Sequence, residues 1–191
     1  MINLALQTLA AQLNQHFRRV YDLTEDMVVV SNLLEMDGNV APNINNRLVV
    51  YLTNIEKDSV SARTNSAQEF GERTVQRSTA LSFNLYVMMT ANFSGNNYAE
   101  ALKFLSGSIS YFQRHPVLTR QTTPDMDSRI EKLVLDIENL SIQDMSNLWS
   151  SLGGKYMPSI LYRIRMVTFD SDEMTGRQPI VTTPKPLVGT D

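Results

Sequence analysis

The chain has 191 residues, 42% of them hydrophobic and 19% charged, with a formal net charge of −3 at pH 7 and no cysteine. A chain of this length buries roughly 70% of its unfolded surface in one core, so no metal or disulfide staple is required. The missing thiols exclude a disulfide framework, a thiolate zinc site, an iron–sulfur cluster and a cysteine nucleophile, and scattered basic residues without a stripe or arm argue against nucleic acid.

From residue 2 to 20, apolar side chains at Ile2, Leu6, Leu9, Leu13, Phe17 and Val20 recur in steps of three and four, predicting a helix with one buried stripe. "MVVVSNLL" (27–34) is short and β-branched and predicts a strand, followed by Asp-Gly and Pro turn chemistry in "EMDGNVAPN". "RLVVYLTNI" (47–55) is apolar on both alternating faces, as a strand covered on both sides must be. Residues 57–79 are polar and aperiodic, long for a loop unless functional or mobile. "LSFNLYVMMTANF" (81–93) alternates cleanly, with Leu81, Phe83, Leu85, Val87, Met89, Ala91 and Phe93 expected on the core. Its other face is expected to be polar, with either a core or an exposed role open for Met88.

Gly95-Asn96-Asn97 opens a second helix, with a stripe of Tyr98, Ala101, Leu102, Leu105, Ile109 and Phe112 ended by Pro116. "VLT" (117–119) fits a short strand. "IEKLVLDIENL" alternates again, placing Asp136 and Glu138 where they can pair with Arg163 and Arg165 on a neighbouring strand. Ser141 and Asp144 form a capping-box pattern. The helix they start carries Ile142, Met145, Leu148, Trp149 and Leu152 on one face. "PSILYRIRMVTF" predicts a last strand, with Ile160, Tyr162, Ile164 and Met166 opposite the two arginines. The whole predicts an α+β fold: a mainly antiparallel sheet packed by about three helices, one domain over 1–169, and an extended or disordered tail over 170–191.

The candidate chemistry dissolves on inspection. Gly153-Gly154-Lys155 suggests a phosphate loop, but Trp149 stands where its first glycine belongs and Tyr156 where its magnesium ligand belongs. It also sits at a helix C-terminus, whose dipole disfavours phosphate. Gly153 and Gly154 are therefore read as a left-handed helix stop, and Pro158 as the opening of a strand. "DMDSRIEKLVLDIE" lacks a calcium-loop pattern, because Arg129 takes the third ligand position and no glycine follows. His16 and His115 read as helix-end or surface residues without metal-ligand spacing. "SGSIS" is not a nucleophile elbow, and its small residues suit helix packing. We therefore expect no catalytic residue, no metal and no cofactor.

What the chain offers instead is surface. Arg63, Arg73 and Arg77 in the polar segment, and Arg163 and Arg165 on the last strand, are the candidates for partner contact. The proline-bearing tail "PIVTTPKPLV" could add to a sheet edge. A small-ligand or regulatory binding domain, with a pocket on the polar sheet face, is the alternative. The start "MINLALQTLAAQLNQHF" lacks a signal peptide's basic region and cleavage site, and no run approaches the roughly 18 apolar residues of a membrane span. A cytoplasmic origin without a membrane partner is expected.

The segments "INLALQTLAAQLNQHF", "RLVVYLTNIEKD", "LSFNLYVMMTANFSGNNYAEALKFLSGSISYFQRHPVLT" and "EKLVLDIENLSIQDMSNLWSSLGGKYMPSILYRIRMVTF" together resemble the cap proteins of extracellular contractile injection systems, of the antifeeding-prophage and virulence-cassette type. The conspicuous signature runs from Glu138-Asn139-Leu140 through Leu148-Trp149 and Gly153-Gly154-Lys155-Tyr156 to Pro158-Ser159, and the resemblance covers residues 1–169. It implies a non-enzymatic tail terminator: a hexameric ring, a homo-oligomer that stops the inner tube and contractile sheath and fixes their length. It also implies assembly in the cytoplasm and later residence in a phage-tail-like particle.

Overall fold

The computed structural model describes residues 1–58, 82–153 and 155–168. Among them the order is α1 (Ile2–Tyr21), β1 (Val28–Val30), β2 (Arg47–Lys57), β3 (Ser82–Asn92), α2 (Tyr98–Arg114), β4 (Val117–Thr119), β5 (Ile130–Ile137), α3 (Ile142–Ser151) and β6 (Ser159–Thr168). The six strands form one sheet in the order β1-β2-β3-β6-β5-β4. Only β1 and β2 run parallel; every other pair is antiparallel. This is the α+β architecture expected from the sequence.

One sheet face carries α1 and α2. Leu6, Leu9, Leu13 and Phe17 of α1 are buried against Leu48 and Val50 of β2 and Leu85, Val87 and Met89 of β3, side chains of one strand parity each. Val20 is instead 55% exposed, so the apolar stripe of α1 ends a turn early. The stripe of α2 is also rotated from expectation: Ala101, Phe104, Leu105, Ser108 and Phe112 are buried, while Tyr98 and Leu102 face out. Aromatic packing decides this. The Phe104 ring meets Phe17 and Tyr21 edge-on at 5.4 and 5.3 Å and stacks on Phe93 at 5.9 Å. Gly107 permits the close helix approach, because a Cβ there would stand 3.0 Å from Phe17 Cε1.

The opposite face was expected to be polar along β3 but is half covered. Met88 and Thr90 are buried, and Met88 joins Val49, Tyr51, Leu161, Trp149, Leu33, Ala41 and Ile44 in a second core. The buried Thr90 hydroxyl is satisfied by the Tyr51 hydroxyl at 3.2 Å, and burial raises the pKa of the Tyr51 phenol. Strand β1 is shorter than 27–34; beyond it, Leu34 forms an isolated bridge to Val40 around a turn with Gly38 at φ 81°. Among the described residues no helix is long and apolar enough to cross a membrane.

Edge strand β1 has an unusual partner. Met27 and Ser31 bond to β2 through Leu48 N→Met27 O at 2.9 Å and Ser31 N→Val50 O at 3.3 Å. Val28 therefore turns its amide and carbonyl away from the sheet. Both are taken by the Asn14 carboxamide of α1, which donates to Val28 O and accepts from Val28 N at 2.8 Å each. Leaving either group buried and unpaired would cost about 1–3 kcal/mol.

Candidate assembly surface

The face opposite α1 and α2 is divided across its strands. Tyr51, Met88 and Leu161 lie in register in its apolar half, and α3 lies over that half with Trp149 as its buried residue. The α3 start is capped as the sequence predicts: Ser141 Oγ accepts from Asp144 N at 3.1 Å. Its exposed turns hold Ile142 in water, 91% exposed, so the predicted apolar face is narrower than it reads. After Leu152 the chain reverses at Gly153, φ 91°, confirming the left-handed stop. A Cβ there would lie 2.6 Å from Leu34 Cδ1, so glycine is needed for space as well as for φ. Pro158 then accepts from Ala91 N through its carbonyl at 2.9 Å, starting the β6 ladder without needing an N–H of its own. Gly154 lies outside the described residues.

Two residues along β3 and β6, and three along β2 across a bulge between Leu52 and Asn54, the same face becomes charged. Asn54, Tyr86, Arg163 and Asp136 stand in one register row, and Glu56, Asn84 and Arg165 in the next. Arg163 approaches Glu138 at 3.7 Å and Asp136 at 4.0 Å, so one guanidinium serves both carboxylates. Arg165 does not share them; it pairs with Asp58 at 3.7 Å. Tyr86 donates to Glu56 Oε2 at 3.0 Å, and that bond raises the phenol pKa. Both arginine side chains remain nearly half exposed, at 45% and 46%, so their ion pairs contribute about 0–1 kcal/mol each and leave the groups accessible. Arg63, Arg73 and Arg77, with the segments 59–81 and 169–191, lie outside the described residues.

The sequence names Arg163 and Arg165 but misses Glu56 and Asp58 beside them. The signal for these was strand register, which pairs Glu56 with Asn84 and Asn84 with Arg165, and no single-strand pattern contains it. In the acidic stretch before β5, Arg129 forks onto Asp127 with Nε and Nη2 at 2.9 and 3.0 Å, holding that carboxyl down at about 2. Two open clefts, of about 800 and 440 Å³, line α1 on the helical side of the sheet.

No curated protein matches the chain. Solved structures that share its fold include two terminator proteins. One is the PVC sheath/tube terminator of an extracellular contractile injection system in the extended state, 16% identical with a TM-score of 0.56 over 96% of this chain. The other is the anti-feeding prophage cap, a tube-terminating cap, 14% identical with a TM-score of 0.55 over 95% of this chain. This chain spans 63% and 60% of those chains, less than two thirds of either. The Pvc16 N-terminal domain family matches residues 5–183, and the chain belongs to that family.

Proposed function

We propose that this protein is a structural assembly subunit, a hexameric cap that terminates the inner tube and contractile sheath of a phage-tail-like injection particle and so fixes its length. The observation that carries the reading is its membership of the Pvc16 N-terminal domain family, together with a fold shared with a sheath/tube terminator and a tube-terminating cap. The chain acts by binding, not by turnover. A ring of identical subunits needs two different patches that meet head to tail and close. The half-exposed arginines Arg163 and Arg165 suit contact with sheath, tube or sister subunits, as do Arg63, Arg73 and Arg77 in the segment between β2 and β3. The protein is made and assembled in the cytoplasm and leaves as part of the particle.

The test is particle assembly with and without this gene product, read by electron microscopy. With it, particles should have one length and carry the protein at one extremity. Without it, tubes should be overlong or ragged. Labelling anywhere other than an extremity overturns the reading. Removing residues 170–191 should leave the ring folded yet abolish sheath capping; normal-length capped particles would refute that part alone.

A further inference from the structure

The smaller cleft lies where the C-terminal halves of α1 and α2 meet β4, and its ionisable lining is of one sign. His16 and Arg19 come from α1, Tyr111 and Arg114 from α2 and His115 from just past its end, and the wall from β4 and the following turn adds no charged group. Tyr111 sits between the two imidazoles, with ring centroids 4.8 Å from each. Its hydroxyl is held by Gln12 Oε1 at 3.0 Å, which fixes the ring. Arg114 commits Nε to Ser110 O at 3.1 Å, and among the described residues neither Arg19 nor Arg114 meets a carboxylate. Burial, then Arg114, Arg19 and His115, lower the pKa of His16. Two guanidiniums and two imidazoles thus converge around one aromatic ring without a counter-charge.

Such a cluster is complementary to carboxylates, which planar guanidiniums grip in bidentate fashion. It suits a free phosphate poorly. Both helices present their C-terminal, negative ends here, and no helix N-terminus supplies amides. A carboxylate carried by a polypeptide, delivered with a wider contact, does not depend on this site alone. The same chain carries such carboxylates on its other side. The charged half-face holds Glu56, Asp58, Asp136 and Glu138 against two arginines, with Arg163 divided between two acids.

We infer that the α1–α2 cleft receives the Asp136 and Glu138 carboxylates of a second copy of this chain, forming the repeating head-to-tail contact of the ring. This rests on the terminator reading. Contact of this kind is heterologous, cleft to sheet face, as ring closure requires. A bound carboxylate favours protonated His16, whose pKa is lowered in the free cleft by burial and the neighbouring Arg114 and Arg19, so association takes up a proton and tightens as the pH falls. It weakens with added salt.

The experiment uses the full chain and two charge-reversed variants, one R19E/R114E and the other D136K/E138K, each first checked for an unchanged melting temperature. Self-association is followed by sedimentation velocity and native mass spectrometry. Wild type should associate, and each variant alone should lose at least about tenfold in affinity. An equimolar mixture should recover, because each reversed cleft then meets a reversed face. If either variant misfolds, R19Q/R114Q and D136N/E138Q should give the same loss without the recovery. A wild type that stays monomeric, or a mixture that fails while wild type assembles, overturns the inference. The second result leaves the terminator reading intact, since particle-end labelling tests that separately. Inorganic phosphate that shifts both histidine resonances without altering association also overturns it, making the cleft a small-anion site.

Discussion

The two faces of the sheet solve the same problem in different ways. Toward α1 and α2 the strands present an unbroken apolar surface from Leu48 to Met166, closed by two long helices. Toward α3 the same strands present one apolar half, covered by a ten-residue helix and an irregular segment, and one charged half that nothing among the described residues seals. The first face holds the fold. The second divides its length between holding the fold and the charged surface proposed for partners, and the boundary falls between Met88 and Tyr86 on β3. A single strand can therefore serve stability at one end and recognition at the other, because side-chain parity assigns the face and position along the strand assigns the neighbour.

Substitutions sharpen that contrast. Phe17→Ala on the helical face should cost about 3–5 kcal/mol, removing a ring packed against Phe104 and Tyr21. Chemical denaturation should show one cooperative transition at a lower midpoint; a loss below 1 kcal/mol would mean that the α1–α2 seam is not the centre of stability. Gly153→Ala, at the rim of the second core, combines a strained φ with a Cβ 2.6 Å from Leu34 Cδ1 and should cost about 1–3 kcal/mol. An unchanged midpoint there would show that the turn relaxes freely. Arg163→Gln in the charged half should change stability by no more than about 1 kcal/mol yet reduce incorporation into particles. Should it instead destabilise strongly, the charged half belongs to the fold and not to the surface.

Much of the fold was legible because its pattern is local. The α1 spacing and the β3 alternation each lie within one element, and the capping Ser141 sits three residues from the amide it caps. The second core was legible only in part: β2 reads as covered on both faces and Trp149 as apolar-facing, but Leu33, Ala41 and Ile44 come from separate segments without a shared period. On β3, Thr90 reads as exposed because its polarity fits the alternation, and only the Tyr51 hydroxyl opposite makes its burial affordable. The α2 stripe was ambiguous because Leu102 and Phe104 both fit a helical face, and the choice is made by rings on α1 and β3. The basic cleft was hidden for the same reason. Gln12 and Tyr111 bond across 99 positions of sequence, so two plain histidines gained meaning only when the helices crossed.

The Asn14 carboxamide at β1 has a consequence for growth of the sheet. By occupying the outward donor and acceptor of Val28, it behaves as a one-residue counterfeit strand belonging to the molecule itself. An incoming chain finds that rung already taken, and only Val30 in this three-residue strand keeps the same outward parity. Fibre-like stacking along that border has almost no template. In a protein read as the end point of a polymer, one margin of the fold is thus itself finished by a single amide.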